Sequence, residues 1–528
     1  MPTLNWIGKE AVVKHHKEVP YRLLEPVPEM SHGDPNSGNL IVQGDNLHAL
    51  KALLPRYAGK VKCIYIDPPY NTGNENWVYN DNVNSPEIKK WLHEVVGKEG
   101  EDLTRHDKWL CMMYPRLVLL RKFLTEDGII FVSIDDNEVS PLKFLMDEIF
   151  GPDCYKNTIA IRRGIKNVQA QFEDLSALAL GHEYILLYSK KSNCRLPKLM
   201  LNHEDIQPGK WDTFWRGTDR PTMRYEIFGY KPDTGQWRWE EVRGKKAIQN
   251  YEEYLKKYSS DMSIDEWFLD TLTSRSIKLD FVRQSEEGSI QYYVPPRSGK
   301  LLSDNWMDIL LTGNATTFET EKNVILIQRI INWVTNGQDL ILDSFAGSGT
   351  TGHAVLNQNI EDGGVRKFIL VEMDEKVVTD ITVKRMRKIL DEASSQNYEM
   401  FNKTANGFQF SKLSNEPLFD SNGEIRSDVK FAQLAEFVWF VETGTGFSGK
   451  ADSPLLGTYE GRGIYLLYNG ILKDRSVNGG NILTSAVFSK LPEHDGSKVV
   501  YAAACRLGNA RLDKLGIIFK QTPYELKV

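Results

Sequence analysis

Between residues 33 and 192, short apolar runs alternate with stretches whose apolar positions recur at helical spacing. Val61-Lys62-Cys63-Ile64-Tyr65-Ile66 predicts a buried strand, and Ile129 to Ile134 and Tyr184-Ile185-Leu186-Leu187-Tyr188 predict two more. Trp109 to Phe123 carries the helical period, as does 141–150, which Gly151-Pro152 closes. Alternation of this kind predicts βα units on a parallel sheet. The pattern returns after residue 300. Val324 to Val334 reads as an apolar-faced helix, and Leu340-Ile341-Leu342 and Lys367 to Val371 as strands. A basic amphipathic helix follows, with Lys384, Arg385, Arg387 and Lys388 on a solvated face.

The pattern also marks boundaries. Residues 1–32, mixed and proline-bearing, predict an N-terminal arm over the core. Residues 33–192 read as α/β, and 301–395 return to that pattern. The stretch 193–300 is different: Trp211, Trp215, Trp237 and Trp239 interleave with Arg216, Arg220, Arg224, Arg238 and Arg243. Alternating aromatic and guanidinium groups suit base stacking and phosphate contacts; a small β-rich insertion with an aromatic core is the alternative. From 396 to 528, strand-like runs at Phe437-Val438-Trp439-Phe440 and Gly463 to Tyr468 predict a separate α+β C-terminal domain.

The chemistry concentrates at two strand ends. Asp67-Pro68-Pro69-Tyr70 follows the 61–66 strand, which delivers a carboxylate to the carboxyl edge of the sheet, where open α/β folds bind ligands. Two prolines lock the backbone, so the Pro68 carbonyl becomes a fixed acceptor beside Asp67. Tyr70 adds a flat ring. Two acceptors and a stacking face suit a planar base with an exocyclic amine; a plain Pro-Pro turn beside an exposed acid is the bland alternative. The second strand end is Asp343-Ser344-Phe345-Ala346-Gly347-Ser348-Gly349-Thr350-Thr351-Gly352, a Gly-rich turn opening a helix. The 367–371 strand then ends in Glu372, placed to take ribose hydroxyls. Gly347-x-Gly349-x-x-Gly352 with Glu372 also matches a dinucleotide fingerprint, so an NAD-dependent oxidoreductase is the rival reading.

Together these segments resemble the DNA adenine-N6 methyltransferases that use S-adenosylmethionine. The order, DPPY before FAGSGTT, is that of the circularly permuted beta class. The likeness extends over about 38–390 and includes Gln43-Gly44-Asp45-Asn46-Leu47, Asp127 to Asp136, His182-Glu183-Tyr184-Ile185-Leu186-Leu187-Tyr188-Ser189-Lys190 and Phe318-Glu319-Thr320-Glu321-Lys322-Asn323. It is greatest to the modification (Mod) subunits of Type III restriction-modification systems. The resemblance implies a Rossmann-like α/β fold, with 193–300 as an inserted target-recognition domain. It implies Asp67, Pro68, Pro69 and Tyr70 as the catalytic corner. Asp45, Asn46, Thr320, Lys322, Asp343, Phe345, Ala346, Gly347, Gly349 and Glu372 are implied around the cofactor. One departure touches Lys322: the residue after it is usually Pro and here is Asn323. Asp rather than Ser before the prolines favours adenine; cytosine-N4 or an RNA amine is the variant. Related permuted enzymes often pair, so a homodimer is expected, with a restriction subunit as a further partner.

Composition adds little. The net charge of −6 over 528 residues does not announce a nucleic-acid binder, but residues 151–250 hold 17 Lys+Arg against 12 Asp+Glu. A local basic face attracts phosphate on an acidic protein. Arg162, Arg163 and Lys166, in a Gly-containing loop, join Arg216, Arg220 and Arg224 as expected DNA contacts. Five scattered cysteines without a C-x-x-C predict neither a disulfide framework nor a metal site, and fit a reducing cytoplasm. No apolar run reaches membrane-spanning length. Gly444 to Lys450 nearly spells a P-loop after a strand, but Ala451 replaces the Ser or Thr that would hold magnesium.

Overall fold

The computed structural model describes residues 3–72, 105–163, 178, 180–275, 277–312, 321–395, 407–473 and 480–526. Lys166 and Thr320 lie outside the described residues. The chain divides into two compact units, 198–303 and the rest.

The larger unit is built on one sheet. Its strands are β1 (Arg22–Pro26), β2 (His32–Gly33), β3 (Leu40–Gln43), β4 (Val61–Ile66), β5 (Leu124–Ile134), β6 (Tyr155–Arg162), β7 (His182–Ser189), β8 (Asn305–Leu310), β9 (Leu340–Asp343), β10 (Lys367–Glu372) and β11 (Gly407–Pro417). Their order is β1-β11-β3-β10-β9-β4-β5-β7-β6-β8, with β2 on β11. From β11 through β5 every neighbour is parallel. The expected parallel sheet is nevertheless mixed. The Val139–Phe150 helix carries the chain from β5 to β6, one place away, and β7 fills the gap antiparallel to both.

The central strands read as apolar runs because both faces are covered. Val61, Cys63, Ile64 and Ile66 in β4 and Ile341 and Leu342 in β9 have no solvent exposure. The Asn46–Tyr57 helix starts where the Asp45 side chain accepts from the amides of Leu47 and His48, a cap that contributes about 1 kcal/mol. The Val324–Val334 helix falls as predicted. It buries Leu326, Ile327, Ile330, Ile331 and Val334, and its cap is Asn323, which accepts from the Ile325 amide. The departure at 323 is thus a helix cap.

The C-terminal region differs from expectation. Gly407–Pro417 does not open a separate domain; it is β11, paired with β3 on one side and β1 on the other. Phe437 to Phe440, read as strand-like, lies inside a helix, Phe431–Thr443, that buries Leu434, Ala435, Phe437, Val438 and Phe440. Apolar residues fall on both sides of that turn, which masks the helical period in a four-residue window. Gly444 closes this helix, so the P-loop-like run is a helix-capping loop. A four-stranded sheet follows, Leu455–Tyr459, Arg462–Leu466, Lys498–Ala502 and Ile517–Gln521. Its Ile464, Leu466, Val499 and Tyr501 join the hydrophobic core of the main sheet.

The smaller unit, 198–303, has its own core of Phe214, Tyr225, Ile227, Trp237, Ala247, Val282 and Ile290. It combines a three-stranded antiparallel sheet, two two-stranded ribbons and the helices Glu241–Lys257 and Ile264–Arg275.

Truncation after Ser395 would strip β11 and the Phe431–Thr443 helix and leave β3 as a bare edge, a template for aggregation. The truncated chain is expected to lose its cooperative calorimetric transition and to aggregate in light scattering. A soluble product with an unchanged melting temperature would show that the C-terminal region folds apart.

Candidate active site

β4 and β9 lie side by side and parallel, so Asp67 and Asp343 leave the sheet at the same edge. Beyond β4, Trp109 donates its indole N–H to the Pro69 carbonyl at 2.6 Å, fixing the double-proline corner. Asn71 then turns with φ of 60° and donates to the buried Glu138, which also takes His106 Nδ1 at 2.6 Å. The Lys322 ammonium lies 3.1 Å from Asp67 Oδ1 and donates to the Tyr70 hydroxyl at 2.7 Å. Lys322 therefore stands at the corner despite the departure at Asn323. Burial, followed by the Asp67 charge, pushes the Tyr70 hydroxyl well above the ordinary phenol range.

The Gly loop is organised by its acids. Asp343 accepts from the Phe345 amide at 3.0 Å and the Thr351 hydroxyl at 2.5 Å. Burial pushes its carboxyl up to about 7, although both hydrogen bonds pull it down. Glu372 accepts from the Gly347 amide at 2.8 Å and the Asp374 amide at 2.9 Å, and burial raises it as well. Gly349 has φ of 80° as the cap of the Thr350–Asp362 helix, a conformation that costs other residues dearly. A Cβ on Gly352 would come within 2.9 Å of Leu370 and Met386, so the third glycine serves packing of helix on sheet. Phe345 and Ala346 are buried, and Ser344 Oγ is buried without a hydrogen bond among the described residues. Carboxylate acceptors at three neighbouring strand ends, with the unsatisfied Ser344 hydroxyl, fit a ligand that donates from ribose hydroxyls.

Two buried arginines, neither anticipated as a site residue, tie these parts together. Arg116, fully buried on the Arg105–Phe123 helix, pairs with Asp45 Oδ2 at 3.2 Å and donates to Asn46 Oδ1. Asn46 in turn donates to the Ser344 carbonyl at 3.1 Å. Asp45 and Asn46 thus hold the Gly loop through Arg116 and the helix cap. Arg385, expected on a solvated face, is buried instead. It pairs with Glu321 at 2.8 Å and donates to Ser348 Oγ at 3.0 Å and Thr350 Oγ1 at 3.2 Å. Burial, followed by the Arg385 charge, holds His353 down at about 4. Lys384 and Lys388 on the same helix are solvated, as expected. An arginine inside an apolar helical stretch was the available signal for Arg116; nothing in the local pattern distinguishes Arg385 from its lysine neighbours.

Glu183, quoted above only as part of a motif, lies 4.0 Å from Lys322 through Oε2 and 3.3 Å from Arg163 through Oε1. Arg163, expected to contact phosphate, is thus partly engaged by Glu183, and Arg162 is exposed at the end of β6. In the 198–303 unit, Arg216 and Arg220 are exposed, whereas Arg224 is held by Asp219 and by the Gly235 carbonyl at 2.9 Å. Of the four tryptophans there, Trp237 is buried in the core, and Trp211 and Trp239 pack under Arg283 and Arg243. Trp215 alone of the four is exposed. The interleaved aromatics thus serve mainly the unit's own core. Among the described residues no cluster of His, Cys, Asp and Glu suits a metal ion, and no helix is long and apolar enough to cross a membrane.

Residues 61–384 match the family model described as DNA methylase, more than half of the 528-residue chain. The Type III restriction-modification enzyme EcoPI Mod subunit of Escherichia phage P1 is 30% identical over 74% of this chain and 69% of its own length. The StyLTI Mod subunit of Salmonella typhimurium is 31% identical over 72% of this chain; the match spans 60% of that subunit's length. The Type II methyltransferase M.KpnI of Klebsiella pneumoniae is 30% identical over 71% of this chain and 93% of its own length. Among solved structures, the cytosine-N4-specific PvuII DNA methyltransferase aligns over 68% of this chain at 11% identity with a TM-score of 0.34. By its match to the family model and its identity to these relatives, the chain belongs to the DNA methylase family whose members include Type III Mod subunits and Type II methyltransferases.

Proposed function

We propose that this chain is a site-specific DNA methyltransferase. It transfers a methyl group from S-adenosylmethionine to the N6 amine of an adenine flipped out of double-stranded DNA, as a modification subunit of a restriction-modification system. The observation that carries this reading is the meeting of Asp67-Pro68-Pro69-Tyr70 with the Gly loop at one edge of the sheet. An NAD-dependent oxidoreductase would use the Gly loop but leave that corner without a task. Asp rather than Ser at 67 favours adenine over cytosine.

When bound, S-adenosylmethionine supplies an electrophilic methyl group on a positively charged sulfur. Phe345, Ala346 and the backbone of Gly347 and Gly349 would line its site, with Asp343, Glu372 and Asp45 as acceptors and Thr320 and Lys322 from the preceding segment. The adenine amine is a poor nucleophile because its lone pair is delocalised into the ring. Asp67 and the Pro68 carbonyl accept its hydrogens, hold the nitrogen nearer tetrahedral geometry and aim the lone pair at the methyl carbon. The cofactor would supply the methyl group and leave as the neutral thioether, and Asp67 is placed to take the proton that the methylated nitrogen loses. The base must leave the duplex, at a cost of a few kcal/mol; stacking on Tyr70 returns about 1–3 kcal/mol.

The 198–303 unit supplies recognition in this reading. It presents Trp215, Phe228 and Tyr230 as exposed rings, and its Arg216 and Arg220 are exposed as well. A single module buries roughly 600–1,000 Å² on DNA, less than a longer specific site requires. A homodimer, in which one subunit reads while the other modifies, meets that need, and a restriction subunit would dock on this assembly.

Asp67→Ala is expected to lower transfer of labelled methyl groups to DNA by about 10³-fold or more, with S-adenosylmethionine binding retained in calorimetry. Methylome sequencing of cells expressing the wild-type chain should show N6-methyladenine at one recurrent site. Near-wild-type transfer by Asp67→Ala, or a mark on cytosine, would overturn the assignment.

Tyr70→Ala is expected to reduce kcat/KM by roughly 10- to 100-fold and to weaken the fluorescence rise of a 2-aminopurine at the target. Tyr70→Phe keeps the ring under the Lys322 ammonium, loses the hydroxyl's hydrogen bonds to Lys322, Asp67 and Glu183, and should cost less. Equal losses would assign the role to the hydroxyl. Light scattering of the full chain should give twice the 60.4 kDa mass; a fully active monomer would refute the dimer.

A further inference from the structure

Lys322 faces two carboxylates. Its ammonium is 3.1 Å from Asp67 Oδ1 and 4.0 Å from Glu183 Oε2. The two acids are held differently. Glu183 lies on β7, paired opposite Ile161 of β6, with Tyr184 beside it paired to Ile134 of β5. Glu183 is held by its backbone pairing to β6 and by Arg163 on its carboxylate, whereas the four-carbon stem of a lysine moves easily. Glu183 Oε1 is taken by Arg163, whereas Oε2 is buried without a hydrogen bond among the described residues. Asp67 Oδ1, likewise buried, has the lysine ammonium as its ionic neighbour.

An ammonium on Asp67 conflicts with the task assigned to that acid. It competes for the oxygen that must accept the target N–H. It also keeps a positive charge beside a nitrogen that turns cationic as the new N–C bond forms. We propose that Lys322 is a two-position ammonium, held on Asp67 while the base pocket is empty and drawn onto Glu183 when the target amine enters, so that Glu183 is a positioning residue for methyl transfer. This inference rests on the methyltransferase reading above. The move is short, since closing the 4.0 Å gap to a direct charged hydrogen bond takes roughly 1 Å. It is also charge-balanced: Asp67 and Glu183 face Lys322 and Arg163, two acids against two bases. Tyr70 keeps its place, with the hydroxyl as a pivot 2.7 Å from Nζ. Burial raises the Glu183 carboxyl above its ordinary range while Lys322 and Arg163 pull it down, so the arriving ammonium favours its charged form.

A double-mutant cycle tests the device because it reads coupling, not the loss of a structural acid. Glu183→Gln keeps the shape and removes the charge that draws the lysine away. Single-turnover methyl transfer, at saturating S-adenosylmethionine, is expected to fall about 100-fold, with cofactor affinity in calorimetry little changed. In a Lys322→Met background no ammonium needs to move, and the same Glu183→Gln change should cost less than about 3-fold. Equal effects in both backgrounds, or wild-type transfer by Glu183→Gln, would overturn the proposal. If Glu183→Gln no longer binds cofactor, Glu183→Asp carries the test: an intermediate rate in wild-type background with none of that loss in Lys322→Met supports it, and an unchanged rate overturns it. Asp67→Ala, run in parallel, separates the two levels. An active Asp67→Ala defeats the methyltransferase reading; an inactive Asp67→Ala beside an unaffected Glu183→Gln defeats only the lysine device.

Discussion

The parallel pairing of Val61–Ile66 with Leu340–Asp343 is the constraint on which the rest depends. It joins two halves of the chain that the 198–303 unit separates in sequence. Without that ladder, the carboxylate at 67 and the Gly loop after 343 would have no common edge. A parallel pair demands a long crossover, and here the crossover is long enough to contain a second compact unit. The pairing also concentrates negative charge. Asp67, Asp343 and Glu372 leave neighbouring strands at one edge, and the Asp67 and Glu372 charges both add to the burial that raises Asp343. Such an edge favours a cationic ligand and hydroxyl donors.

Buried charge of this kind is costly unless it is paired and hydrogen-bonded. The fold answers with cations drawn from distant elements. Arg116 comes from the helix before β5, and Arg385 from the helix after β10. Arg116 reaches the Gly loop through Asn46, and Arg385 reaches it directly at Ser348 and Thr350. Arg385 also holds Glu321, the residue before Lys322. The position of the lysine at the Asp67 corner and the shape of the Gly loop are therefore coupled through one guanidinium. A lysine at 385 could not make the same forked set of contacts.

The two compact units divide the labour differently from what composition suggests. In the 198–303 unit the aromatic residues build a core of stacked and edge-on rings, with Phe214 on Trp237 and Tyr254 on Trp267. Only a few rings, such as Trp215 and Tyr230, and arginines such as Arg216 and Arg220 stay exposed. The C-terminal region, by contrast, divides its apolar residues: Phe437, Val438, Ile464 and Val499 join the main core, while Tyr465, Leu483 and Val500 form a second cluster of its own.

By itself the sequence determined the local elements and the chemistry at their ends. The apolar run of 61–66, the prolines after Asp67 and the glycines after Asp343 are each read within a window shorter than one helix, because strand burial, locked φ and positive φ are local properties. The match of these motifs to a methyltransferase family followed from the same windows. Tertiary structure alone decided which distant charges meet. Glu183 is an acid at the head of an apolar strand until β7 packs between β5 and β6; Lys322 stands in a motif that points to the cofactor, and only the fold sets it beside Asp67. Arg385 could not be told from Lys384 or Lys388, since helical spacing places all of them near one face and only the packing against Glu321 selects one for burial. The same holds for 431–443, where apolar residues on both sides hide the helical period, and for β11, whose partners β1 and β3 lie far away along the chain. Electrostatic pairing and sheet registry depend on distances in space, and no pattern along the chain encodes them.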